Sequence, residues 1–147
     1  MKELLIDSGP LIATYSPGDV HHVRCSRLLA SWPGPVVVPE PVLVETCGFV
    51  RNNFRRGADY EAQLLDHMSS GSGPFKVVMT THEDLLRVAQ LVRQMANAPM
   101  GYVDAAVIAM AERLHITDVA TVDTKLVGMS VSVSKIKPIS WLLPDLS

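Results

Sequence analysis

Four acidic residues carry most of the chemistry open to this chain: Asp7, Glu45, Asp104 and Asp123. Asp7 ends the apolar run Leu4-Leu5-Ile6, and Asp123 follows the stretch from Asp118 to Val122, so each stands where a buried strand passes into the next helical segment. Parallel strands would bring both to the same sheet edge. Glu45 lies among Val42, Gly48 and Phe49, and Asp104 sits between Val103 and Ala105-Ala106-Val107-Ile108. Both are in helical stretches, and neither has a Lys or Arg three or four residues away. An ionised carboxylate on an apolar face is costly unless something compensates it. Clustered acids also raise one another's pKa, so four of them in one place make sense chiefly around a divalent cation. All-oxygen ligation points to Mg²⁺ or Mn²⁺ rather than zinc.

Each acid also has a purely structural reading. Asp7 suits the cap of a segment beginning at Pro10, Asp123 the cap of Thr124-Lys125-Leu126, and Asp104 the negative charge favoured near a helix start. Glu45, with apolar neighbours on several sides, has the weakest such explanation. Singly the signals are unspecific; together they are harder to dismiss.

The elements that must position these residues follow from periodicity and punctuation. Strands are expected at Leu4 to Ile6, Val36 to Val38, Phe75 to Met79 and Asp118 to Val122, with a weaker one within Val131 to Ile139. Helices are expected from His21 to Trp32, Pro41 to about Asn53, Ala58 to Met68, from Thr81 to near Asn97, and Tyr102 to Leu114. Thr81 and Asp84 have the spacing of a capping box. Strands and helices alternating at this rhythm predict an α/β sandwich around a mainly parallel sheet, and such sheets carry their sites at the carboxyl ends of strands.

A chain of 147 residues is expected to form one domain, 1–147. With 48% hydrophobic and only 19% charged residues it is not disordered, and it has more apolar side chains than a lone small domain hides easily. A subunit interface or partner groove is therefore expected, with Trp141, Leu142 and Leu143 among its candidates. The first apolar run is too short for a signal peptide, and the longest, Val36 to Val50, is broken by Pro39, Glu40, Pro41 and Glu45. No membrane association is expected, and a cytoplasmic location is. Cys25 and Cys47 have neither the number nor the spacing for a disulfide framework or a zinc site and read as reduced cysteines on buried helix faces. A net charge of -2 means that any nucleic-acid binding must rest on a local basic patch. The candidate is Arg51-Asn52-Asn53-Phe54-Arg55-Arg56, with Arg51, Arg55 and Arg56 for phosphates and Phe54 for stacking; an ordinary solvated helix end is the alternative.

Leu4-Leu5-Ile6-Asp7-Ser8-Gly9-Pro10-Leu11, Val44-Glu45-Thr46, Tyr102 to Ala111 around Asp104, and Ala120-Thr121-Val122-Asp123 together resemble the PIN-domain nucleases, and within them the VapC-type toxins of prokaryotic toxin–antitoxin modules. The resemblance runs over nearly the whole chain. It implies a PIN-like three-layer α/β/α sandwich and a Mg²⁺- or Mn²⁺-dependent endoribonuclease acting on RNA. It also implies a homodimer, inhibited by a cognate antitoxin protein. Asp7, Glu45, Asp104 and Asp123 match the family's acidic quartet, and Ser8 and Thr121 match its small hydroxyl positions beside the acids. Relatives commonly carry an aromatic residue shortly after the last acid; here the sequence is Thr124-Lys125-Leu126, and Lys125 is a further candidate for substrate phosphate.

Three rival readings remain at this point. One is a PIN-type RNA-processing or DNA nuclease without a toxin role, and another is a metal-free binding module on the same fold. The third, a phosphoryl-transfer hydrolase with Asp7 as nucleophile, typically has a second Asp two residues on, where this chain has Gly9.

Overall fold

The computed structural model describes residues 2–135 and 139–143. Five strands, β1 (Leu4–Ile6), β2 (Val36–Pro39), β3 (Phe75–Val78), β4 (Asp118–Ala120) and β5 (Ser140–Leu142), form one sheet in the order β3-β2-β1-β4-β5. Every neighbouring pair is parallel, with Leu4 opposite Val36 on one side and Asp118 on the other. The chain builds outward from β1 through β2 to β3 and then returns to lay β4 against the other flank of β1. The carboxyl ends of β1 and β4 therefore flank the point where strand order reverses, the usual ligand crevice of open α/β sheets.

Seven helices lie among the described residues: α1 (Ser8–Tyr15), α2 (His22–Ser31), α3 (Glu40–Asn53), α4 (Gly57–Ser69), α5 (His82–Gln94), α6 (Tyr102–Leu114) and α7 (Thr124–Val133). Leu4, Leu5, Ile6, Val37 and Val38 are fully buried. Because successive strand residues face opposite sides, burial of all of them requires helices on both faces of the sheet. The larger core packs β1 and β2 with Leu11, Val42, Leu64, Val107 and Met110, and a second gathers Val88, Leu91, Ala105, Ile108 and Leu126. Helix α6 contributes to both, which explains why Ala105 to Ala111 is an unbroken buried run. No described helix is long and apolar enough to cross a membrane.

Local chemistry sets the element ends. Thr81 Oγ1 accepts from the Asp84 amide at 3.1 Å and Asp84 Oδ2 accepts from the Thr81 amide at 3.0 Å, the expected capping box. Pro41 sits in the first turn of α3, where its missing N–H costs nothing. Helices α5 and α6 are tied by Arg87, whose guanidinium grips both Glu112 oxygens at 2.8 and 3.1 Å and donates to the Val133 carbonyl at 2.7 Å.

One expected strand lies elsewhere. Val131-Ser132-Val133-Ser134 alternates like a strand, yet Val131 to Val133 close α7, because Asp123 starts a helix that runs through them. The last described strand is β5, in which Trp141 and Leu142 pair beside β4 and pack half-buried on the core. Of the expected 131–139 stretch, residues 136–138 lie outside the description.

The α3–α4 corner depends on a bare backbone. Arg56 adopts φ 60°, and a Cβ on Gly57 would stand 2.3 Å from the Arg51 carbonyl oxygen. Backbone cannot swing aside as a side chain can, so Gly57→Ala is expected to cost about 3 kcal/mol, the upper end of overpacking penalties. Urea unfolding checks this; an unchanged midpoint would show that the corner opens freely.

Candidate active site

The Asp7 amide donates to the carbonyl of Ala120, the last residue of β4, at 2.9 Å, continuing the β1–β4 pairing one residue beyond β1. That places the Asp7 side chain at the carboxyl edge of the sheet, 5% exposed. Its Oδ1 accepts from the Ser8 amide at 2.8 Å and so caps α1, while Oδ2 accepts from the Thr121 hydroxyl at 2.9 Å. Thr121, fully buried, also accepts from the Asp123 amide at 3.1 Å. Asp123 in turn caps α7, with Oδ1 accepting from the Lys125 and Leu126 amides at 2.9 and 3.2 Å. On the other side the Ser8 hydroxyl donates to Glu45 Oε1, in the second turn of α3. A hydrogen-bonded chain thus runs Glu45, Ser8, Asp7, Thr121, Asp123. Asp104 is the third residue of α6 and accepts from the Gly101 amide at 3.4 Å.

Burial is the largest influence on Asp7 and pushes its carboxyl up to about 6. The Ser8 and Thr121 hydrogen bonds oppose the rise, and the nearby charges of Asp104 and Glu45 add to it. Asp104 is likewise raised, first by burial and then by Asp123 and Glu45, against the Gly101 hydrogen bond. Asp104 thus lies within electrostatic reach of the other three acids, and Glu45 within reach of both Asp7 and Asp104. Among the described residues none of the four forms an ion pair with Lys or Arg. The positive ends of α1, α6 and α7 add to these hydrogen bonds, each favouring the acid at its own start.

The structural roles of Asp7, Asp104 and Asp123 are therefore real, and they do not exhaust these side chains. A carboxylate offers about four acceptor sites, so an acid that caps a helix keeps oxygen lone pairs for a ligand. Glu45 departs from expectation: it is exposed, not set on a buried apolar face. The buried stripe of α3 is Pro41, Val42, Thr46 and Val50, and the apolar neighbours Val44 and Phe49 are themselves 60% and 44% exposed. Apolar sequence neighbours did not mean cover.

The basic candidates divide. Arg51 pairs with Glu61 at 2.7 Å and Arg56 with Asp59 at 2.8 Å, whereas Arg55 is exposed and has no ion-pair partner among the described residues. Lys125 is exposed on the first turn of α7. A contributor that sequence reasoning passed over is Gly9, where a Cβ would meet Val122 Cγ2 at 2.7 Å. Its lack of a side chain lets the start of α1 lie against the loop carrying Asp123. The available signal was a glycine two positions after a strand-end acid.

Among the described residues no group of three His, Cys, Asp or Glu side chains is arranged to hold a metal ion as it stands. The donor chemistry nevertheless fits a hard divalent cation, since every candidate oxygen belongs to an acid without a Lys or Arg ion pair among the described residues. Mg²⁺ in particular is commonly held through one or two carboxylates, waters and substrate phosphate, so a closed protein cage is not required.

Among solved structures of the same fold, VapC20 of Mycobacterium tuberculosis, a Sarcin-Ricin loop cleaving toxin, is 21% identical; 85% of this chain and 93% of that chain align at a TM-score of 0.76. A toxin–antitoxin complex from Klebsiella pneumoniae is 18% identical, with 83% and 88% covered and a TM-score of 0.64. VapBC2 of Rickettsia felis, bound to a DNA fragment from its promoter, is 13% identical, with 86% and 92% covered and a TM-score of 0.63. Comparison with curated protein sequences returns no match. The PIN domain family model matches residues 4–130, a span that holds four of the five strands and all four acids. The parallel sheet, the acids at its carboxyl edge and that match lead to one conclusion: this chain belongs to the PIN-domain family.

Proposed function

We propose that this protein is a metal-dependent endoribonuclease of the cytoplasm and the toxin of a toxin–antitoxin pair. The observation that carries the reading is the quartet Asp7, Glu45, Asp104 and Asp123, four acids gathered at one sheet edge with no Lys or Arg ion pair among the described residues. Such an arrangement disfavours the empty protein and favours a cation, which makes a binding module that never takes metal a poor account of it. The neighbouring complexes from Klebsiella and Rickettsia support a cognate antitoxin, and homodimerisation is part of the same proposal.

Asp7, Glu45, Asp104 and Asp123 would hold Mg²⁺ or Mn²⁺. When bound, the cation supplies Lewis acidity, making water more acidic and offsetting charge on the phosphoryl oxygens during in-line attack. The protein's own part is positioning. Ser8 orients Asp7 through its amide and Glu45 through its hydroxyl, and Thr121 holds Asp7 and the backbone of Asp123 in one register. Neither a covalent nucleophile nor a histidine base is needed, and the expected products carry 5′-phosphate and 3′-hydroxyl ends.

Cleavage of a mixed RNA pool with Mg²⁺, Mn²⁺ or EDTA, by the wild type and an Asp7→Asn/Asp104→Asn double variant, tests the proposal. Metal-dependent cutting lost in the variant is expected, together with growth arrest on expression of the wild type only. Equal cutting by both proteins would overturn it. Thr121→Val, nearly isosteric, should lower activity about 10- to 100-fold, since it removes the donor to Asp7 and the acceptor for the Asp123 amide. Full activity in that variant would show that the hydroxyl positions nothing.

A further inference from the structure

Beyond the acids, α3 presents a second exposed feature. Glu45, Gly48, Phe49 and Asn52 recur at i, i+3, i+4 and i+7 and form one outward stripe, none of them in the buried face of the helix. Gly48 leaves a notch there, for a Cβ at that position would meet nothing within 4 Å. Phe49 stands one turn beyond Glu45 and is 44% exposed. Its ring meets Phe54 edge-on at a centroid separation of 6.3 Å, and Phe54 meets Tyr60 edge-on at 5.5 Å. Tyr60 is 37% exposed and borders a surface pocket of about 220 Å³, also lined by Arg56, Asp59 and Gln63.

We infer that this aromatic corner is a stacking track for single-stranded RNA, taking unpaired bases on one side of the phosphate to be cut. The inference rests on the ribonuclease reading above. Three observations favour RNA as the occupant. The stripe is continuous with Glu45, which the Ser8 hydroxyl ties to the acid chain, so a strand leaving the acids along α3 passes over Phe49 first. The rings are held edge to face, which fixes each in place, while Phe49 and Tyr60 keep enough exposed surface to meet a base. Arg55, exposed and without an ion pair among the described residues, stands next to Phe54 to meet backbone phosphate, while Arg56, Asp59 and Gln63 offer donors and acceptors to the edge of a base lying on Tyr60.

RNA oligonucleotides carrying 2-aminopurine, bound in EDTA so that they stay intact, report stacking as fluorescence quenching. Phe49→Ala and Tyr60→Ala are each expected to raise Kd about tenfold to a hundredfold and to abolish quenching, and Phe49→Tyr to retain both. Arg55→Ala should reduce the slope of log Kd against log salt by about 0.7. Gly48→Leu starts from a Cβ that meets nothing within 4 Å and covers the stripe, so it should weaken binding even if Phe49→Ala proves unstable. In cleavage assays these variants should raise KM and spare kcat. Unchanged Kd and quenching in both Tyr60→Ala and Gly48→Leu would overturn the track, as would variants that lose a protein partner while binding RNA normally. If the wild type cleaves and KM is unmoved in the variants, the track fails and the ribonuclease stands. If it binds RNA through these rings and cleaves none with any metal, the ribonuclease fails and the track stands.

Discussion

Asp7→Asn is expected to make the metal-free protein more stable at pH 8, by up to about 3 kcal/mol, while abolishing cleavage. The figure is the worth of a carboxyl moved from 3.8 to about 6, each pKa unit being about 1.4 kcal/mol. Its sign follows from linkage: the folded state holds the Asp7 proton more tightly than the unfolded chain does. The wild type therefore has the full benefit of this group below about pH 4 and loses it as pH rises through about 6. Asparagine carries no charge to bury and loses nothing over that window. Its oxygen can still accept from the Ser8 amide, and its amide can donate to the Thr121 hydroxyl, which rotates to receive it. Urea unfolding in EDTA at pH 4 and pH 8 measures the effect, with the two proteins diverging only at the higher pH. Mg²⁺ should stabilise the wild type and leave the variant much less affected. A variant less stable than wild type at pH 8 in EDTA would show that Asp7 serves the fold before it serves a ligand.

The second large effect lies far from the acids. Arg87→Ala should destabilise the protein by about 3–5 kcal/mol, the usual result of removing one partner from a buried ion pair. The two side chains are only 14% and 10% exposed. Glu112 would keep only the Lys135 amide, at 2.7 Å, and the Val133 carbonyl would lose its guanidinium donor. The loss is thus shared by α5, α6 and the end of α7. Arg87→Lys should recover little, because an ammonium cannot grip both carboxylate oxygens at once. Replacing both partners, Arg87→Met with Glu112→Leu, should restore much of the stability, since no charge is then left buried. Thermal and urea unfolding of the four proteins decide it; a double variant as weak as Arg87→Ala would mean that the geometry of the pair, not its charge, holds the helices.

The acids at strand ends were legible because they are local events. An apolar run that stops on Asp7 already states where a strand ends, and Asp7 and Asp123 both state where a helix N-terminus begins, although β4 closes at Ala120, short of Asp123. The buried run of α6 and the Thr81 capping box were legible for the same reason, each being written within a few residues. Glu45 shows the limit. Its residue type and place on a helix were plain, yet its exposure was not, because what covers a helix face comes from distant parts of the chain. The serine–valine alternation from Val131 misled similarly: period 2 suggested a strand, whereas the cap at Asp123 committed the segment to a helix.

By itself the sequence determined most of the strands and helices up to Asp123, where the acids fall along them, and that the sheet is mainly parallel, but not the helix and strand that follow Asp123. Only the tertiary structure decided that β4 returns beside β1, which sets the Thr121 bridge between Asp7 and Asp123, and that α3 and α6 bring Glu45 and Asp104 within charge range of Asp7. It also decided the joining of Arg87 to Glu112 and the standing of Phe49 one turn from Glu45 on an uncovered face. The physical reason is one of range. Hydrophobic period and capping act over a few residues and can be read in order, whereas burial and charge coupling depend on neighbours in space, which the chain meets only after its loops have closed.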